Sequence, residues 1–428
     1  MALEHSVLGW RCRVCDTSVD IAEPEPWRCP RSTGSDRHHV LHPLVRPGVA
    51  PPPREFEHPF VRFEHRLAWA ASAAARGMTS AARDALVTEL DIAVERVDGV
   101  GFRVTPFGRS AALSDALGFG ADAGVWVKDE TGNVAGSQKA RHLFSILLQL
   151  RANEALAGSS RNERAPLAIA SCGNAALAAA TLASAAEWPI DVYVPTSMSN
   201  GFGRELDRLG ARVHRCERRA ADPPGDPAMH RFREAVVDGA TPFTVQGPEN
   251  ALCLDGGRTV GWEIAERLDA TEGRVLDAIF VQVGGGAFAS CLGAGLVEAG
   301  QRPALLAVQA EGCAPLDRAW RSGATERSAW SDAMPPWPNP HSLADGILDD
   351  ETYDWIGVLD ALRATGGDTV VAAEQRVERA WQVAGDAGFD CSPTGSAGLA
   401  GLLELLDGPD GDTWRSRSVG IVISGVRR

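Results

Sequence analysis

From Val125 to Ser424 the chain alternates short β-branched runs with longer helical stretches, and this alternation limits the folds open to it. The strand candidates are VWVKDE, LAIAS, DVYVP, ARVHRC, AIFVQVG, LLAVQAEG, DTVVAA and VGIVIS. Most are apolar on both alternating faces, which is the signature of a parallel strand covered on each side rather than a half-exposed one. Between them stand NAALAAATLASAAEW, FGRELDRLG, RTVGWEIAERL, FASCLGAGLVEAG and QRVERAWQVAGDAG, each with helical character. The pattern predicts an α/β fold built on mostly parallel sheets flanked by helices. In such sheets a ligand sits beyond the carboxyl ends of the strands, where small-residue turns lead into helices.

Three turns have that placement. The first lies in VWVKDETGNVAGSQKARHLF, where a strand enters a polar, glycine-containing turn and Lys139 falls where a helix should begin. An amine at a helix start meets the positive end of the dipole, which favours its neutral form. The second is LAIASCGNAALAAATLAS, in which Ser171, Cys172, Gly173 and Asn174 offer backbone N–H groups and short polar side chains to an anion or a ring oxygen. In the third, AIFVQVGGGAFASCLGAG, Gly284, Gly285 and Gly286 allow close backbone approach just before a helix, an arrangement suited to phosphate. It lacks the spacing of a dinucleotide fingerprint. A fourth strand end, VGIVISGVRR, presents Ser424.

Composition sharpens the first of these. Among 42 Lys and Arg residues the only lysines are Lys128 and Lys139. A guanidinium stays protonated, whereas a lysine amine can be deprotonated and can form a Schiff base. A surviving lysine therefore carries unusual weight, the plain alternative being chance survival on the surface. The net charge of −14 argues against a nucleic-acid surface. No apolar stretch reaches the length of about 20 residues that a membrane span needs. The opening MALEHSVLGW does not read as a secretory signal, so the cytoplasm is the expected compartment. Nine cysteines in 428 residues make no disulfide framework. Cys172, Cys216, Cys253, Cys291, Cys313 and Cys391 read as reduced, buried small residues.

Taken together and in order, these motifs resemble the fold type II pyridoxal-phosphate (PLP) enzymes, a family that includes threonine synthase, serine and threonine dehydratases and cysteine synthase. Within it the chain is most similar to threonine synthase. The family pattern Lys-Asp-Glu, then Asn-Pro-Thr-Gly-Ser-Phe-Lys-Asp-Arg, is matched by Lys128, Asp129, Glu130, Asn133, Gly136, Ser137, Lys139 and Arg141. The stretch from Val308 to Trp320 carries a further likeness. The resemblance implies that Lys139 holds the cofactor aldehyde as a Schiff base and then takes the substrate α-proton as general base. It implies that Asn174 faces the cofactor's phenolic oxygen, that Gly284, Gly285, Gly286 and Ala287 bind its phosphate, and that Ser424 stands at the pyridine nitrogen. Ser171, Cys172 and Gly173, with Ser137, would hold the substrate carboxylate.

The same resemblance implies two lobes, each with a mostly parallel twisted sheet flanked by helices. Residues 61–137 and 241–428 would form the larger, PLP-binding lobe, and 138–240 the smaller one. The Ala-rich pattern from about Leu67 to Val97 suits one or two helices, and the resemblance suggests a homodimer. Val134, Ala135, Gln138, Ala140 and Cys172 depart from the threonine synthase pattern, and Ser424 is more typical of dehydratases and cysteine synthases. Elimination and replacement at the side chain of a small amino acid is therefore the first expectation for function. Deamination of the serine and threonine dehydratase type is the alternative, and a catalytically silent PLP-binding protein the third.

Residues 1–60 stand apart. Cys12, Cys15 and Cys29 make most of a zinc-ribbon pattern, the position of a fourth cysteine is taken by Ser32, and His38 or His39 would complete a structural zinc site. A metal-free degenerate ribbon is the first expectation, and a zinc site completed by His38 the alternative. RPGVAPPPREFEHPF reads as an extended connector, and His5, His42, His58 and His65 as surface residues.

Overall fold

The computed structural model describes residues 5–33, 38–48, 51–271 and 275–427. Val49 and Ala50 of the expected connector lie outside the described residues. Strands β1 (Val7–Cys12), β2 (Ser18–Asp20) and β3 (Leu41–Val45) form a small antiparallel sheet in the order β2-β1-β3. Further along come β4 (Phe107–Ser110), β5 (Gly124–Asp129), β6 (Leu167–Ala170), β7 (Ile190–Pro195), β8 (Arg212–Cys216) and β9 (Thr241–Pro242). The last four are β10 (Ala278–Gln282), β11 (Ala304–Ala310), β12 (Asp368–Ala372) and β13 (Ser418–Ile423).

Two larger sheets result. One has six strands in the order β12-β11-β10-β13-β5-β4, parallel throughout except for β4, which pairs antiparallel with β5 at the edge. The other is a parallel sheet of four, β8-β7-β6-β9. All eight runs picked out in the sequence form strands. Every residue of β6 and β10 is buried, as continuous apolar runs between helical layers require. The helices expected before residue 98 form at Ala68–Ala75 and Ser80–Asp98.

The helix Lys139–Ala157 leaves the carboxyl end of β5 and is buried along most of its length. Its entry turn is specified by backbone geometry: Ala135 and Gly136 take positive φ angles of 51° and 60°, and the Ala135 N–H donates to Asp98 Oδ2 at 2.9 Å. At its far end Gly158, with φ 66°, supplies the left-handed cap.

A buried charge cluster fixes this helix to its neighbours. Arg141 Nε donates to Glu130 Oε2 at 2.8 Å, and Arg141 Nη1 to Glu263 Oε1 at 2.6 Å. Lys128 Nζ reaches Glu263 Oε2 at 2.5 Å and the Thr105 carbonyl at 2.8 Å. Two cations and two carboxylates, all fully buried, balance one another. Lys128 is thus an interior structural residue, and neither lysine is a chance survivor on the surface.

Candidate active site

The carboxyl ends of β5, β6, β10 and β13 open on one cavity of about 1130 Å³. Its lining includes Ser137, Lys139, Ser171, Cys172, Gly173, Asn174, Gly284, Gly285, Gly286, Ala287 and Ser424, so residues spread over most of the chain meet there. Lys139 is the first residue of its helix, as expected. Burial pushes its ammonium below the usual lysine range, while the charges of Asp349, Cys253 and Asp354 pull the other way. Desolvation, more than the helix dipole invoked from sequence, favours the neutral amine.

The β13 end is stitched to the turn before Lys139. Ser137 and Gly425 form a backbone bridge, the Gln138 N–H donates to the Ser424 carbonyl at 3.2 Å, and the Val426 N–H to the Gly136 carbonyl at 3.0 Å. Gly425 leaves room for the Asn174 amide: a Cβ there would stand 2.7 Å from Asn174 Nδ2, so the amide would have to move. Asn174 opens the helix Asn174–Ala185, so its amide is held between that helix start and the end of β13.

Ser424 Oγ accepts from Gln282 Nε2 at 2.6 Å, and that same nitrogen also reaches the Gly395 carbonyl at 2.9 Å. A hydroxyl that accepts from an amide keeps its own proton to donate. Such a donor would suit an unprotonated ring nitrogen. Gly284, Gly285 and Gly286 are pressed from behind by residues 347–354. Added Cβ atoms would lie 2.5 Å from Asp349 Oδ2, 3.0 Å from the Tyr353 ring and 2.9 Å from Thr352 Cγ2 respectively. The loop runs into the 12-residue helix Ala287–Glu298, so backbone amides and a helix start converge. These donors fit PLP: amine for aldehyde, amide for phenolic oxygen, hydroxyl for ring nitrogen and glycine loop for phosphate.

On the substrate side, the Ser171 N–H donates to the Tyr193 carbonyl at 3.1 Å and Ser171 Oγ accepts from the Gly173 N–H at 3.3 Å. Ser137 is fully buried and its Oγ has no hydrogen-bond partner among the described residues. Cys172 is exposed on the cavity wall, which corrects the expectation of a buried thiol; the other five scattered cysteines are buried.

Several residues of the site were not singled out in the sequence. Gln282 is hidden in an apolar strand. Asp349, half-buried on the cavity wall, accepts from the Gly285 N–H; burial pushes its carboxyl up to about 6 against the pull of Lys139. Asp354, behind the loop, is pushed up to about 7 by burial, opposed by the Gly247 N–H and by Lys139. Asp345 accepts from Thr394 Oγ1 at 3.2 Å. The acidic run LADGILDDETYDW was the available signal.

At the N-terminus Cys12, Cys15 and Cys29 do come together, and here the expected histidine is corrected. His38 is turned away, its ring stacked on Trp330 with centroids 5.8 Å apart. His39 instead brings Nδ1 to 3.6 Å from Cys12 Sγ. Adjacent residues on an extended segment face opposite ways, so only one of the pair can point inward. His42 is also buried rather than on the surface, and His5, His58 and His65 are half-buried.

Residues 100–425 match the family described as pyridoxal-phosphate dependent enzyme. The threonine synthase of Methanosarcina acetivorans is 26% identical over 313 residues, covering 71% of this chain and 70% of that protein. A serine dehydratase-like protein of Rattus norvegicus is 30% identical over 226 residues, 52% of this chain and 60% of its own length. The solved structure of the processed form of threonine deaminase isoform 2 from Solanum lycopersicum matches with a TM-score of 0.60 at 18% identity. It covers 82% of this chain and 91% of that one, a likeness of fold. No helix among the described residues is long and apolar enough to cross a membrane.

Proposed function

Because the chain belongs to the pyridoxal-phosphate dependent enzymes, we propose that it eliminates a neutral or cationic substituent from the side chain of a small amino acid, as an ammonia-lyase. The charge of the cavity wall carries this choice. Glu205, Asp226, Asp345 and Asp349 line it, against Lys139 and Arg427. A phosphate ester on the substrate side chain calls for clustered cations. Among the described lining residues only Arg427 is available besides Lys139, and its guanidinium rests over the Trp381 ring at 5.0 Å. A side-chain hydroxyl or ammonium suits this wall better than phosphohomoserine does.

Bound in the cavity, PLP supplies an electrophilic carbon for the substrate amine and a sink for the electrons of the broken α-bond. The chain's own residues do the rest. Within the Ser171–Gly173 loop the Cys172 N–H, together with the start of the Asn174 helix, would meet the substrate carboxylate, since the Ser171 and Gly173 N–H groups already donate to Tyr193 and Ser171 Oγ. Lys139 Nζ, whose proton affinity burial lowers, would take the α-proton. Ser137 Oγ, without a partner, is available to donate toward the carboxylate or the departing group. Ser424, which accepts from Gln282 and so keeps a proton to donate, would hold the cofactor's ring nitrogen by a hydrogen bond and not by an ion pair, an environment that would suit elimination.

The test is product analysis of cofactor-loaded protein given L-serine, L-threonine, L-2,3-diaminopropionate and O-phosphohomoserine in parallel. A 2-oxo acid with ammonia from any of the first three supports the reading. Threonine and phosphate from the last alone would replace it with the synthase reaction, and no product from any would favour the catalytically silent protein.

A further inference from the structure

We propose that Cys12, Cys15, Cys29 and His39 form a structural zinc site that clamps the loop between Cys15 and Cys29 onto the helix bearing Lys139. Cys12 ends β1, Cys15 lies in the turn to β2, and His39 precedes β3, so three separate segments contribute to one point. The four ligand atoms all lie within 4.8 Å of one another. Cys15 Sγ and Cys29 Sγ are 3.6 Å apart, and His39 Nδ1 is 3.6 Å from Cys12 Sγ and 3.9 Å from Cys29 Sγ. Tetrahedral zinc with Zn–S near 2.3 Å and Zn–N near 2.0–2.1 Å gives ligand–ligand edges of about 3.5–3.8 Å. The Cys15–Cys29 and Cys12–His39 separations fall on those edges, and the Cys29–His39 separation is slightly longer. The Arg31 N–H donates to Cys29 Sγ at 3.4 Å, the kind of amide contact that steadies a metal-bound thiolate.

The chemistry fits a closed site. Three thiols and one imidazole fill four positions and leave none open for a substrate, which marks a structural ion. Binding displaces a proton from each thiol and leaves the imidazole neutral, so oxidation states do not change.

The loop so closed reaches the active-site scaffold through its other side. The Pro24 carbonyl accepts from Gln149 Nε2 at 3.1 Å and from Asn153 Nδ2 at 2.8 Å, both on the Lys139 helix. The Trp27 carbonyl accepts from the Ala251 N–H at 2.8 Å, and Arg28 pairs with Glu249. Two residues past Ala251, the Cys253 carbonyl contacts His142 Nδ1 at 2.7 Å, one turn along the helix from Lys139. The metal thus holds a brace against the element that carries the reactive amine.

The experiment uses the full-length, cofactor-loaded protein. Elemental analysis should find one zinc per chain, and growth on cobalt should give intense thiolate-to-cobalt charge-transfer absorption. Cys12→Ser and His39→Ala should each lose the metal, whereas Cys216→Ser, a buried thiol elsewhere, should keep it. Stripping the wild-type metal with a chelator should raise tryptic cleavage after Arg28 at least tenfold, and restoring zinc should reverse it. Wild-type protein that is free of zinc and takes up no cobalt would overturn the site, as would zinc retained by Cys12→Ser. Unchanged cleavage after metal removal would overturn the clamp.

Discussion

Replacing Asp349 with asparagine keeps the shape of the side chain and an oxygen to accept from the Gly285 N–H, but removes a group that can ionise. The folded carboxyl stands near 6 against an ordinary 3.8. A raised value means that the neutral form is favoured in the folded state. Its stabilising contribution is complete below pH 3.8 and is lost as the pH rises through 6. At pH 8 the wild-type protein therefore carries an ionised carboxylate that folding disfavours. Two units at 1.36 kcal/mol each amount to about 3 kcal/mol. Contact with water in the cavity screens roughly half of that, leaving a gain of about 1–2 kcal/mol for Asp349→Asn. Thermal unfolding of cofactor-free protein should show the variant melting about 2–6 °C higher at pH 8, and level with wild type at pH 4. A gain of equal size at both pH values, or a loss at pH 8, would refute the argument. The same variant should turn over a side-chain ammonium substrate at least tenfold more slowly and leave serine turnover nearly unchanged. On the proposed function, the wild-type site would give up stability for recognition of a cation.

Lys139→Ala should lower turnover by at least about 10³-fold, and borohydride should no longer fix the cofactor to the protein, as mass spectrometry would show. Arg141→Met strands Glu130 and Glu263 in the interior with Lys128 as their one remaining cation, so chemical denaturation should report a loss of about 3–5 kcal/mol; a loss under 1 kcal/mol would mean that the cluster relaxes. Gly425→Ala should push the Asn174 amide out of place and weaken cofactor binding at least tenfold in a spectroscopic titration, with a smaller effect on melting.

The strands from β5 to β13 were legible wherever a run of apolar residues was long enough to mark a covered strand. β4 and β9 were not, because Phe107–Ser110 is short and polar and Thr241–Pro242 is only two residues. Lys139, Asn174, the glycine loop and Ser424 could be found because each sits where a strand gives way to a small-residue turn. Gln282 and Asp349 owe their roles to distant partners. Gln282 matters because Ser424 lies within 2.6 Å, and Asp349 because residues 347–354 fold behind the glycine loop. Local pattern carries no trace of either. The choice between His38 and His39 was hidden in a similar way, since spacing alone cannot say which of two neighbours turns inward.

The burial of Lys128 has a practical consequence. With that amine sealed behind Glu263 and Thr105, Lys139 is the one lysine that a dissolved reagent can meet, and it meets it only by entering the cavity. An aldehyde such as PLP therefore has no competing lysines to occupy on the outside of the molecule. Acylation at Lys139, read by peptide mass spectrometry, becomes a gauge of the cavity itself: it should fall in proportion as the cofactor fills it.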